Sequence, residues 1–202
     1  MQELLKIMRR LRAPDGCPWD LKQTHESLRT YLLEEAAEAV DAITGGKSDE
    51  IVEELGDVLL QIAFHSVIAE QANSFSYSDI EHAIVAKLIR RHPHVFADIK
   101  VESADEVVAN WQEIKGTEKA NKNPLDSAPK SLTGLMRAAE LSKKLAWEVP
   151  SKADLQEKTE ALTATDEDIG KLLLAIASFS KANGINPEIA LREAILSKTS
   201  LE

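Results

Sequence analysis

Five carboxylates stand close together on two segments of helical periodicity. Glu34, Glu35 and Glu38 fall in YLLEEAAEAV, and Glu54 and Asp57 fall in ELGDVLL. Residues three or four apart share a helix face, so each group forms its own acidic row. Glu35 lies in line with Leu28, Leu32, Ala39 and Ala42, and Glu54 and Asp57 lie beside Ile51 and Val58. These carboxylates therefore sit next to the apolar stripe rather than opposite it. The TGGKS turn at 44–48 makes the two helices antiparallel neighbours, so Glu35, Glu38, Glu54 and Asp57 can converge. Like charges brought together repel, and each would have a raised pKa or cost stability if left ionised. A divalent cation removes that conflict. Hard oxygen donors without neighbouring Cys or His favour Mg²⁺, with Mn²⁺ as a substitute. Glutamate is also a good helix former, and EExxE alone reads as solvated surface. The paired ExxD on the next helix makes metal binding the better reading.

The elements that must position these residues are all helical, and no strand pattern is visible. Leu4, Leu5, Met8 and Leu11 mark a first short helix ending before Pro14, and APDGCPWD reads as a loop. Asp20 with Gln23 reads as a capping box opening the second helix, which Gly45-Gly46 stop. Ser48 is placed as the cap of the third helix, followed by Asp49 and Glu50 in its first turn. A fourth helix runs from near Ser76 to Arg91 and stops at His92-Pro93. Ser103 and Glu106 form another box, opening a helix through Trp111 and Lys115.

The chain is 202 residues long with a net charge of −10, and 4% of its residues are aromatic. Such a composition suits an aliphatic helical core and excludes a broad surface for DNA, RNA or acidic membrane. One cysteine, Cys17, excludes a disulfide framework. No apolar run approaches a membrane span, and the N-terminus lacks a signal core, so the cytoplasm is expected.

The polar, proline-bearing stretch KANKNPLDSAPKS, residues 119–131, divides the chain. We expect a helical domain at 1–120, a linker at 121–131 and a second helical domain at 132–202. The second half partly repeats the first: ELGDVLLQIAFHSVIA (54–69) resembles DIGKLLLAIASFSKAN (168–183) in apolar register. Its chemistry does not repeat. Glu54 becomes Asp168, Asp57 becomes Lys171, and EEAAE has no counterpart between 137 and 165.

Lys87, Arg90 and Arg91 stand at helical spacing in KLIRRHPH, where they suit phosphate oxygens or simply a helix C-terminus. His92 and His94 read as structural or solvent-facing. Trp111, one turn from Lys115, can stack on a base or belong to the core. Trp19 and Trp147 read as packing residues, and Cys17 as inert.

CPWD (17–20), QTHESL (23–28), YLLEEAAE (31–38), ELGDVLLQ (54–61), KLIRRHPHVF (87–96) and NWQEIK (110–115) together resemble the MazG family, all-α nucleoside triphosphate pyrophosphohydrolases. The resemblance covers most of residues 1–120. It implies Mg²⁺-dependent cleavage between the α- and β-phosphates, giving a monophosphate and pyrophosphate, in a homodimer. It implies Glu35, Glu38, Glu54 and Asp57 as metal ligands and Glu34 and Glu53 as neighbours that orient water. Lys87, Arg90 and Arg91 would meet phosphates, with Trp111 and Lys115 near the nucleotide. The residue that activates water is left open among Glu34, Glu38 and Glu53. Family members commonly carry two such domains, and here the second lacks the signature, so activity is expected in the first. A broad housekeeping specificity is the leading expectation. The alternatives are a dUTP/dCTP- or phosphoribosyl-ATP-type substrate, or a non-catalytic dimerisation or partner-binding module.

Overall fold

The structure, a computed structural model, describes residues 1–118 and 123–199. The first two residues of the expected linker, 121 and 122, lie outside them, as do 119–120 and 200–202 of the expected domains. Among the described residues there are eleven α-helices, one short 3-10 turn and no strand. The chain divides into two compact units, Met1–Lys115 and Gly116–Glu202.

In the first unit, α1 (Gln2–Leu11) packs on the long α4 (Ser48–Gln71), and α3 (Arg29–Gly45) runs along α4 as well. The core is built where α1 meets the C-terminal half of α4. Leu5, Met8, Leu28, Ala63, Phe64 and Val67 are buried there, with Leu4, Leu11, Leu60 and Ile68 packed around them. Each large aliphatic side chain of this kind stabilises the fold by about 1.5–3 kcal/mol. Arg9 reinforces the pairing through a two-pronged contact with Glu70, at 2.8 and 2.9 Å.

The segment between α1 and α3 is tied down more firmly than a loop. Its short helix α2 (Pro18–Lys22) starts with Pro18 at the first helical position, where the absent N–H costs nothing. Asp20 therefore lies inside α2 and is buried, and the expected Asp20–Gln23 capping box does not form. Gln23 instead donates to the Trp19 carbonyl. The buried Arg12 guanidinium organises the segment. It donates to the carbonyls of Asp20 and Gln23 and to Gln71 Oε1. Gly16 permits the close turn back onto α1, because a Cβ there would meet the Leu11 carbonyl oxygen at 2.2 Å. Trp19 packs edge-on against Tyr31 and Phe64. His25 stacks on His65 with Nδ1 atoms 2.7 Å apart, fixing QTHESL to α4.

The α3–α4 turn forms through Gly46, whose φ of +75° is the left-handed conformation favoured by glycine. Ser48 is the first helical residue of α4, and Lys47 stands at the cap position instead. Helix α5 (Tyr77–Arg91) opens on a capping box between Ser76 and Asp79. It leads through His92 into a four-residue helix, α6 (Pro93–Phe96), and on to α7 (Ala104–Glu118). At the start of α7, Ser103 Oγ accepts from the Glu106 N–H, but the Glu106 carboxylate accepts from Glu102 rather than from Ser103.

In the second unit, α8 (Gly134–Lys144) packs against α10 (Asp166–Ala182) and α11 (Pro187–Thr199), while α9 (Lys152–Glu160) packs on α10. Ala139, Ser142, Ala175, Ala177 and Ser178 fill the contact, so small residues bring these helices close. Asn186 caps α11 by accepting from the N–H groups of Glu188 and Ile189. Inside the expected linker, Pro124–Ser127 forms the 3-10 turn.

Candidate functional site

The tight turn after α3 aligns the middle of α3 with the first half of α4, and their acidic rows meet. Carboxylate oxygens of Glu35, Glu38 and Glu54 lie within 4.8 Å of one another. Glu35 and Glu54 are half-buried, and Glu38 is exposed. Asp57, half-buried one turn along α4, adds its charge to both Glu35 and Glu54. Glu34 and Glu53 are exposed beside their neighbours in sequence.

The electrostatics follow from this crowding. Burial pushes the Glu35 carboxyl above its ordinary range, and the charges of Asp57 and Glu38 push it further. Glu54 is raised by burial and then by Glu38, Asp57, Glu53 and Glu35. No cationic side chain is among the causes acting on either carboxyl. The donor set is all oxygen and anionic, which fits a hard divalent cation.

Gln61 is the residue the sequence reading missed. It follows Glu54 and Asp57 on the same face of α4 and is only 3% exposed. Its amide nitrogen donates to Glu35 Oε1 at 3.4 Å, and its own Oε1 is buried without a hydrogen-bond partner among the described residues. A buried orphan carbonyl costs free energy unless a donor meets it. The signal was present in ELGDVLLQ: a glutamine interrupting an apolar row.

The other expected site residues fall into two groups. Lys87 and Arg90 are exposed on α5, which packs against α4. Arg91 turns inward instead: it is 6% exposed, with its guanidinium carbon 5.4 Å from the centre of the Trp111 ring. His92 meets the same indole edge-on at 4.9 Å. Trp111 is thus gripped from α5 and its C-cap, with Lys115 half-buried one turn further along α7.

A carboxylate-bearing helical hairpin in an all-α fold is the arrangement that the comparisons with known proteins place in a class. The MazG nucleotide pyrophosphohydrolase domain matches residues 23–96, spanning α3, α4 and α5. The chain is 39% identical to a nucleoside triphosphate pyrophosphohydrolase of Escherichia coli, over 96% of this chain and 82% of that protein. It is 40% identical to the nucleoside triphosphate pyrophosphohydrolase/pyrophosphatase MazG of Thermotoga maritima, over 96% of this chain and 80% of that one. It is also 49% identical to the uncharacterized protein YabN of Bacillus subtilis, over 68% of this chain but only 28% of that longer protein. The chain belongs to the MazG family of nucleotide pyrophosphohydrolases, hydrolases acting on acid anhydrides.

Proposed function

We propose that the first unit is a Mg²⁺-dependent nucleoside triphosphate pyrophosphohydrolase of broad nucleotide specificity. The observation that carries this is the convergence of Glu35, Glu38 and Glu54 within 4.8 Å, with acidic neighbours raising both Glu35 and Glu54. These three and Asp57 would hold Mg²⁺ or Mn²⁺. The ion supplies neutralisation of the phosphate charge and a lowered pKa for bound water. Lys87 and Arg90 face solvent on α5 and bind phosphate oxygens, Arg90 with a forked donor set. Trp111 offers a face to the base, and Lys115 a charge beside it. Arg91 serves this site by holding Trp111 rather than by meeting phosphate itself. One carboxylate among Glu34, Glu38 and Glu53 accepts the proton of the attacking water. A new P–O bond forms from water as the bridging α–β P–O bond breaks, leaving a monophosphate and pyrophosphate.

Association of two copies is part of the same reading. Val52 is 72% exposed, and Leu33, Ile43 and Leu55 are about half exposed or more, all on the hairpin that carries the site. Exposed apolar side chains of this number on one hairpin suit an interaction surface. The second unit keeps the apolar register without the carboxylates, and we read it as a degenerate copy. Among the described residues no helix is long and apolar enough to cross a membrane.

The test is chromatographic product analysis with a panel of NTPs and dNTPs in Mg²⁺. Monophosphate plus pyrophosphate, with rates within about tenfold across bases, supports the reading. Diphosphate plus orthophosphate overturns the bond assignment, and turnover of a single nucleotide overturns the broad specificity.

A further inference from the structure

We propose that the second unit binds a nucleoside monophosphate without a metal, in the groove between α9, α10 and residues 147–150. The groove encloses about 450 Å³, within the range of small-molecule sites. Trp147, expected from sequence to be a packing residue, lines it at 37% exposure, with Pro150, Leu174 and Ala175 completing an apolar surface. Lys158 and Lys171 line it and also line a second cavity of about 150 Å³, so both residues border the two spaces.

The register of the partial repeat places this groove on a telling face. Lys171 corresponds to Asp57 and Ala175 to Gln61, so the groove uses the face of α10 that matches the carboxylate face of α4. Asp168, which corresponds to Glu54, is occupied by its neighbours, and the charge of Lys171 acts on it as well. Its carboxylate accepts from the Thr163 hydroxyl, which pulls its pKa below the ordinary range. The remodelled face keeps one carboxylate, Asp168, and carries Lys171 where α4 has Asp57. Beside the groove this gives a lysine in place of a carboxylate, a donor that can meet one phosphate oxygen.

The rest of the lining narrows the ligand. Glu148 and Asp154 also face the groove, so the two lysines are matched by two carboxylates. Asp154 is occupied in a capping box with the Ser151 N–H at 2.7 Å. Lys171 is paired with Glu167 on an exposed face, a contact worth little and readily exchanged for phosphate. A balanced lining disfavours a triphosphate but suits one phosphate between the lysines. A base can stack on Trp147, and a ring amino group can donate to Glu148. The ligand class is also that of the product proposed for the first unit. Only that match to the product rests on the proposed activity, and the binding site stands without it.

The experiment is calorimetric titration of the full chain with AMP, GMP, CMP and UMP in EDTA, with inorganic phosphate as control. Saturable binding of at least one mononucleotide, retained in Asp57→Asn, is expected. Trp147→Ala should weaken it by about 5- to 100-fold, the range that base–aromatic stacking supplies. Lys158→Glu/Lys171→Glu, altering exposed residues, should weaken it by at least about tenfold while the circular dichroism is unchanged. Absence of binding by all four mononucleotides overturns the proposal. So does binding indifferent to the lysine reversal, or binding equalled by phosphate alone.

Discussion

Replacing Glu35 with Gln separates the cost of the carboxylate cluster from its use. The substitution removes one charge, preserves shape and keeps an acceptor for the Gln61 amide. Two unit charges 4.8 Å apart repel by about 1 kcal/mol in water and about 3–4 kcal/mol at an effective dielectric constant of 20. Glu35 has Glu38 and Glu54 at this range and Asp57 nearby, but the cluster is open to solvent and counterions. Glu35→Gln should therefore stabilise the metal-free protein by about 1–2 kcal/mol at pH 7.5, a rise in Tm of about 5 °C. The sign with pH follows from the raised carboxyl. The folded chain binds the Glu35 proton more tightly than the unfolded chain does, so the metal-free wild type gains stability as pH falls. The gain accrues from the raised folded pKa down towards the ordinary value of 4.5, and the advantage of Glu35→Gln closes over that window. Saturating Mg²⁺ should reverse the order. At a hundredfold excess over Kd, binding stabilises the wild type by about 2.7 kcal/mol, while the variant gains less. Differential scanning fluorimetry in EDTA and in Mg²⁺, from pH 5 to 8, reads both effects. A variant less stable than wild type in EDTA, or equal Mg²⁺ shifts in the two proteins, would refute the reasoning.

Gln61→Leu fills the same volume without the amide, and should weaken Mn²⁺ binding, measured by titration, by about 10- to 100-fold while the helical signal persists. Trp111→Ala should raise KM with a smaller change in kcat, and Arg91→Ala should reproduce that pattern, because Arg91 grips the same indole. If Arg91→Ala instead lowers kcat alone, the grip is not its function. Gly16→Ala drives a Cβ into the Leu11 carbonyl and should cost about 1–3 kcal/mol in urea denaturation, with catalysis per folded molecule unchanged.

The helical hairpin was legible because two signals agreed. The apolar period fixed the faces of α3 and α4, and the Gly45-Gly46 pair fixed the turn. Convergence of Glu35, Glu38 and Glu54 follows from those two facts alone. The burial of Arg91 against Trp111 was not legible, because the two lie 20 positions apart and helical spacing carries no information about such contacts. Gln61 was passed over because it interrupts an apolar row, although a polar residue in a buried register is itself a signal. The Asp20–Gln23 box was a local pattern overridden by Pro18, which starts a helix earlier, and by Arg12, which reaches in from α1. Trp147 reads as a packing residue in the sequence, and only the fold shows the groove it lines.

The central claim is that the carboxylates of α3 and α4 hold a metal that drives cleavage between the α- and β-phosphates. The most direct measurement is pyrophosphate release from one nucleoside triphosphate, followed against Mg²⁺ concentration, for wild type and Glu38→Gln side by side. Glu38 is exposed, so its replacement leaves the fold intact. The account predicts metal-dependent pyrophosphate release by the wild type and a loss of at least about a hundredfold in the variant. Pyrophosphate release that persists in EDTA, or that survives Glu38→Gln unchanged, would contradict it.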